Sequence, residues 1–331
     1  MMDIGCLARE LEGCMIIVFG SLNVDMVTHV DHLPKSGETV MGQDHQLFAG
    51  GKGANQALAA RLASGPVSNP ASGSSSEPAG ANVIMVGAVG QDSHAVFAMK
   101  ALSEAGVDMA CMAHVAAPTG VAFITVDASG ANQIVVSSGA NAAAMAAQLE
   151  GVKAGSSRFL VVQCETNPRE TRKALRWAAA NKLTTIMNLA PFRMLDADEL
   201  GLINVLIMNE HEATALATGL EMPLQTPAFF CQQLSQRHDL VAVVTLGARG
   251  AVAHAGGRSF AANAHEVAVV DTTAAGDAFC GAFTAALGKG DGIGAALRQG
   301  CIAGSLACSV SGAQTSLPDH AAIQRAIRET R

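Results

Sequence analysis

Tyrosine is absent from the 331 residues and tryptophan occurs once, which leaves aromatics at 4% of the chain. With 34 glycines and abundant alanine in their place, the composition suits tight packing of helices on a sheet and loops whose backbone comes close to a ligand. Basic clusters are lacking too, and the formal charge is −7. Affinity for a phosphate backbone needs a basic stripe, so nucleic acid is set aside as the main partner and a small ligand is expected. No apolar run reaches membrane-spanning length. Cys14 to Phe19 is short and has no basic flank before it, and Cys301 to Val310 is broken by Gly304 and Ser305. Neither a targeting signal nor a membrane partner is expected. The eight cysteines (6, 14, 111, 164, 231, 280, 301 and 308) show no CxxC or Cys/His ligand spacing. Reduced, buried thiols in a cytoplasmic compartment are the expectation.

Half of the chain is apolar, enough for a sizeable core. Short β-branched runs alternate with helical stretches: Ile16 to Phe19, Asn82 to Val86, Phe159 to Gln163, Thr184 to Asn188, Val205 to Met208 and Val241 to Thr245, with helices at Thr171 to Asn181 and Thr226 to His238. That order predicts an α/β fold of Rossmann-like, doubly wound type, a central parallel sheet with helices on both faces. Val24 to Val30, Glu38 to Ala49 and Val121 to Ser138 break the rhythm with β-rich patterns, and Ala128 to Asn132 reads as a hairpin turn. They predict a small second sheet, from segments at about 23–49 and 115–140, lying as a lid over the strand ends. The Ser-, Pro- and Gly-rich stretch Ser64 to Gly80 reads as a mobile insertion within one domain spanning 1–331. The last helix, Asp319 to Arg331, is expected against the sheet edge.

Two glycine-rich segments carry the chemistry. In Val269 to Phe279 a strand is expected to end near Val270, followed by a small-residue turn and a helix starting near Gly276. The free amides of such a helix start hold an anion, and Ala274, Ala275 and Gly276 let a phosphate come close. Asp277, in the first turn, is placed to take a proton from an attacking hydroxyl; a plain helix-dipole role is the alternative. The second segment, Gly50 to Ala57, opens a helix but matches neither the P-loop GxxxxGK[ST] nor the dinucleotide GxGxxG spacing. Asn55 there can both donate and accept hydrogen bonds; an ordinary helix-start turn is the other reading.

Together these segments closely resemble the two signatures of the ribokinase branch of the PfkB family of carbohydrate kinases, with matches in order from Gly20 to Pro318. The resemblance implies a ribokinase-like fold and ATP-dependent phosphorylation of D-ribose at the 5-hydroxyl, with Asp277 as general base and an anion hole at Ala274, Ala275 and Gly276. By the same resemblance Asn23, Asp25, Gly51, Lys52, Asn55 and Glu165 hold the sugar with Asp277. Asn209, Thr245, Gly247, Gly250 and Gly276 receive ATP beside Asp277, and Glu212, in the NxxE motif Asn209-Glu210-His211-Glu212, organises Mg²⁺ through water. A monovalent cation, K⁺, is implied at Asp271, Thr273, Ala307, Val310, Gly312 and Ser316. Pairing of the lid sheet with its copy in a homodimer is implied as well. The lid segments hold only Phe48 and Phe123 as rings, which favours ribose over a nucleoside. Departures from the pattern are Cys301 in place of Asn or His near the nucleotide base, Leu189 for a proline, and Ala95 for a glycine after Asp92.

Overall fold

A computed structural model describes residues 15–66, 81–152 and 157–329. In chain order the strands are β1 Met15–Phe19, β2 Asn23–His29, β3 His45–Gly50, β4 Asn82–Val86, β5 Ala88–Val89, β6 Ala113–His114, β7 Gly120–Val126, β8 Asn132–Ser137, β9 Ser157–Val162, β10 Thr184–Asn188, β11 Val205–Asn209, β12 Val241–Thr245, β13 Ala251–Ala255 and β14 Arg258–Ala262. The helices are α1 Lys52–Ala63, α2 Ser93–Glu104, α3 Pro168–Ala180, α4 Ala197–Leu200, α5 Glu210–Gly219, α6 Pro227–His238, α7 Ala275–Gly288, α8 Ile293–Ala307 and α9 His320–Glu329.

Eight strands form the main sheet in the order β14-β13-β12-β11-β10-β9-β1-β4. From β4 to β12 neighbouring strands run parallel. The sheet is mixed at its other edge, where β12, β13 and β14 pair antiparallel and Gly256 and Gly257, both at positive φ, make the turn. Most residues of the parallel strands β1, β4, β10, β11 and β12 are buried because both faces are covered, whereas β14 at the edge is largely exposed. Ile16 and Val18 of β1 enter one core cluster with residues of α1, α2, α7 and α8, while Ile17 and Phe19 enter the other with residues of α3, α5 and α6. No helix among the described residues is long and apolar enough to cross a membrane.

The second sheet is present as four strands in the order β3-β2-β7-β8. Its hairpin turn falls at 127–131, one residue before the expected Ala128 to Asn132, held by Asp127 Oδ1 accepting from the Ser129 and Ala131 amides. Within Glu38 to Ala49 only the part from His45 is strand. Ser64 and Gly65 close α1, the Ser64 hydroxyl donating to Ala60 O and Arg61 to Gly65 O. Residues 67–80 of the expected mobile insertion lie outside the described residues, as do Cys6 and Cys14.

Three details differ from expectation. Val270 ends no strand: 263–270 has no regular secondary structure and is tied to the end of α8, where the Val270 and Asp271 amides donate to Cys308 O, and its valines 269 and 270 are exposed. The C-terminal helix α9 packs on α8 and α1, not on the sheet edge. All six described cysteines are unpaired, but Cys111, Cys164 and Cys308 are half-buried whereas Cys231, Cys280 and Cys301 are buried.

Small residues do their structural work where α1 crosses α7. A Cβ on Gly281 would come within 2.6 Å of the Ala60 backbone nitrogen, so the two helices touch through backbone. That closeness brings the first turn of α1 beside the first turn of α7.

Candidate active site

The site is built at the carboxyl ends of the parallel strands, where an open α/β sheet leaves a crevice. Ser21 follows β1, Gln163 and Glu165 follow β9, Asn188 ends β10, Asn209 ends β11 and Thr245 ends β12. α1 and α7 both start here, and neither has a side-chain N-cap. Their orphan amides meet different fates. At α1 the Lys52 amide donates to Glu165 Oε2 (3.0 Å) and the Gly53 amide to Ser21 Oγ (3.3 Å), with the Ser21 hydroxyl in turn donating to Glu165 Oε2 at 2.5 Å. At α7 the amides of Gly276 and Asp277 have no partner among the described residues. The residue before this helix, Ala274, sits in the left-handed region at φ 60°, a conformation that costs a non-glycine residue about 1–3 kcal/mol and clusters at functional sites. A Cβ built on Gly276 would meet no heavy atom within 4 Å, so the space over these amides belongs to the cleft and not to protein packing.

Asp277 is 4% exposed. Its Oδ2 accepts from Asn55 Nδ2 at 2.9 Å and its Oδ1 from Gln56 Nε2 at 2.8 Å. It lines a cavity of about 220 Å³ together with Lys52, Asn188, Asn209, Glu212 and the 274–276 turn. A second cavity of about 890 Å³ adjoins it, sharing Asn209, Thr245, Thr272, Ala275 and Gly276. Gly247, Gly250 and Cys301 line that larger space, and the Cys301 thiol points its sulfur to Ala262 O at 3.7 Å. Gly250 has to be glycine: its φ is +87° and a Cβ would press on the backbone of 262–264.

The second sheet brings Asn23 and Asp25 of β2 next to the turn at Gly51 that opens α1. Asn23 is buried with Oδ1 accepting from Asn141 Nδ2 at 2.7 Å, and Asp25 lies two residues on, on the same face of β2. Gly51, at φ +89°, runs so close that a Cβ would come 2.7 Å from the Asn23 amide nitrogen. Phe48 is the cross-strand neighbour of Asp25 and shares its face, whereas Phe123 pairs with Met26 on the other face and is 51% exposed.

The charges are concentrated and unequal. Burial, then the carboxylates of Glu165 and Asp277, push Asp25 up to about 7, against the pull of Lys52. Asp277 above all, with Glu165 and Glu212, holds the Lys52 ammonium above its usual range despite desolvation. Burial raises Glu212, which is 8% exposed and locked in a capping box: its Oε2 accepts from the Asn209 amide at 2.7 Å while its own amide donates to Asn209 Oδ1 at 2.8 Å. Glu212 is therefore no solvated helix face. Burial would raise Asp271 too, yet the Thr273 hydroxyl and the amides of Gly312 and Thr273 outweigh it and hold the carboxyl low. Those bonds join Asp271, Thr273 and Gly312 (2.9 Å to the Gly312 amide); no hydrogen bond links Ala307, Val310 or Ser316 to Asp271 among the described residues.

The chain matches the pfkB family carbohydrate kinase profile over residues 15–320. It belongs to that family. This pfkB-family kinase is 34% identical over 310 residues to the ribokinase of Haemophilus influenzae, covering 92% of this chain and 95% of that one. Among solved structures it superposes on the ribokinase of Thermotoga maritima with a TM-score of 0.82 at 27% identity, over 95% of this chain and 99% of the other. The Arabidopsis thaliana ribokinase complexed with ribose and ATP gives 0.81, again at 27% identity, over 95% and 98% of the two chains. The ribokinase-like fold expected for the chain is thereby established.

Several polar groups of the kinase site escape a reading of the motifs. Ser21, Gln56, Asn141, Gln163 and Asn188 are all buried and all hydrogen-bonded to it. Gln56 follows Asn55 directly and Gln163 lies two before Glu165, so adjacency to a motif residue was the available signal.

Proposed function

We propose that the chain transfers the γ-phosphoryl group of ATP to the 5-hydroxyl of D-ribose. One observation carries this reading: a buried carboxylate and a helix start with unpartnered amides face a small cavity that opens into a larger one. A sugar held by Asn23, Asp25, Gly51, Lys52, Asn55 and Glu165 presents its hydroxyl to Asp277. ATP lies in the larger cavity along Thr245, Gly247 and Gly250, with its phosphates reaching Asn209 and the turn 274–276. Asp277 takes the hydroxyl proton as the new O–P bond forms, the bond from the γ-phosphorus to the bridging oxygen breaks, and its electron pair leaves with ADP. Gly276 and its neighbours hold the γ-phosphoryl oxygens by backbone amides, which cost no reorganisation at the moment of transfer. Lys52 offsets the negative charge gathered there. The second sheet, over 23–49 and 115–140, acts as a lid that keeps water from ATP.

The donor set suits a hard divalent ion: the Glu212 carboxylate lines the small cavity with one oxygen outside the capping box. Glu212 would hold Mg²⁺ there through water, and the ion would supply positive charge against the phosphates. The Asp271, Thr273 and Gly312 turn, with carbonyls at Ala307 and Val310 and with Ser316, suits a monovalent ion such as K⁺, which would fix the turn leading into α7. The exposed apolar side chains of the second sheet, Leu47, Phe123 and Val135, lie in one cross-strand row and support pairing with a second copy. Six unpaired thiols suit the cytoplasm.

The test is ADP release measured across a panel of pentoses, hexoses and nucleosides. Sugar-dependent turnover greatest with D-ribose is expected. Preference for a nucleoside would overturn the acceptor, and ribose binding without ATP consumption would overturn catalysis altogether.

A further inference from the structure

Gln56 is 1% exposed, and its amide is saturated. Its Nε2 donates to Asp277 Oδ1 at 2.8 Å and to Asn188 Oδ1 at 3.0 Å, while its Oε1 accepts from Gln163 Nε2 at 2.8 Å. The orientation is over-determined. A carboxylate only accepts, so the Gln56 nitrogen must face it; the reversed amide would set oxygen against two acceptor oxygens and nitrogen against the Gln163 nitrogen. Asn188 continues the chain by donating to Ile207 O at 3.4 Å. The carboxylate is thus tied through one side chain to Gln163 just after β9, to Asn188 at the end of β10 and, through Asn188, to Ile207 within β11. Asn55 holds the other oxygen.

We propose that Gln56, fixed by Gln163, is the positioning residue of the Asp277 carboxylate: it sets the plane of the carboxylate so that a free lone pair faces the small cavity and the acceptor hydroxyl. The inference rests on the reading of Asp277 as the base. An amide is suited to the task because it donates without offering a competing proton site. Each carboxylate oxygen accepts one amide bond and keeps capacity for one more.

The experiment measures kcat, sugar KM and ADP binding for Gln56→Met, Gln56→Glu, Gln163→Met and Asp277→Asn beside the wild type. Gln56→Met removes the donor at similar volume, and kcat is expected to fall about 10- to 100-fold with sugar KM and ADP affinity within about threefold. Gln56→Glu sets a second carboxyl against the Asp277 carboxylate in place of the amide donor, so the two share a proton and kcat becomes pH-dependent in a way that it does not in Gln56→Met. Lys52 opposes that proton sharing, while Asp25, Glu165 and Glu212 favour it; on α7 itself the neighbouring thiol is that of Cys280. A kcat of Gln56→Met within about twofold of wild type, or a pH profile unchanged in Gln56→Glu, overturns the proposal. Should Gln56→Met lose ADP binding and so fail to fold, Gln163→Met decides: a fall of about threefold or more in kcat supports the role, and an unchanged kcat overturns it. Near-normal turnover in Asp277→Asn would sink the base assignment itself, whereas an inactive Asp277→Asn beside an unimpaired Gln56→Met sinks the positioning role alone.

Discussion

Asn55 and Asp277 stand 222 residues apart in the chain, yet the Asn55 side-chain amide donates to the Asp277 carboxylate at 2.9 Å. The bond exists because α1 and α7 meet backbone to backbone at Gly281 and because both helices begin at the same crevice. One signature of the family contributes the amide and the other the carboxylate. What unites them is packing of alanine and glycine about one turn further along each helix.

The free space over Gly276 separates ligand binding from stability. Gly276→Ala places a methyl where no protein atom lies within 4 Å, at a helical position that favours alanine over glycine by about 0.5–1 kcal/mol. The melting temperature is expected to hold or rise, while kcat falls about tenfold or more as the methyl meets the phosphoryl group. Thermal melts and steady-state kinetics on the same preparation check both halves; unchanged kinetics would place the phosphate elsewhere.

Asp25 is a destabilising residue in the ligand-free fold. Its carboxyl is raised from 3.8 to about 7, so as pH rises through that window the unfolded chain gives up the proton first and stability declines, with the loss complete above about 7. Asp25→Asn removes the ionisation. Its stability gain over wild type is expected to be small at pH 4 and to reach about 1–3 kcal/mol at pH 8, discounted for a part-exposed side chain. Sugar binding should be lost in the same variant. Paired denaturant titrations at the two pH values check this, and a gain that does not grow with pH contradicts it.

Glu199, 2% exposed, is the centre of an ion-pair cluster beside Cys164, close to the strand ends that carry the site. Arg193 grips it with two bonds, at 2.6 and 2.9 Å, and Arg172 adds a third at 3.0 Å. Burial alone would raise this carboxyl; the two arginines outweigh it and hold it below its ordinary 4.5, so its contribution is complete above 4.5 and fades as pH falls through the lowered value. Glu199→Ala strands the Arg193 guanidinium and is expected to cost about 3–5 kcal/mol. Calorimetry at neutral pH checks the magnitude.

β1, β11 and the Phe159 to Val162 part of β9 were legible because they are buried on both faces and read as near-continuous apolar runs, while β10 was legible from the β-branched residues Thr184, Thr185 and Ile186. β13 was not, since Ala251 to Ala255 has neither alternation nor bulk, although Gly256-Gly257 behind it is a hairpin signal. Val267 to Val270 misled in the opposite direction: β-branched residues there line an exposed loop beside the larger cavity. The motif residues of the site could be named from sequence. Asn141 and Asn188 could not, and Gln56, inside the Gly50 to Ala57 segment, and Gln163, beside Glu165, carried no mark of their role, because a buried amide has no local pattern and its partners arrive from more than 100 residues away.

The most direct measurement is turnover and ribose affinity of Asp277→Asn. The substitution keeps the shape and the cavity but removes the proton acceptor, so kcat should fall by about 10² to 10⁴ while the dissociation constant for ribose stays within a few-fold. Turnover close to wild type, with the folded state intact, would mean that this carboxylate is not where the hydroxyl proton goes.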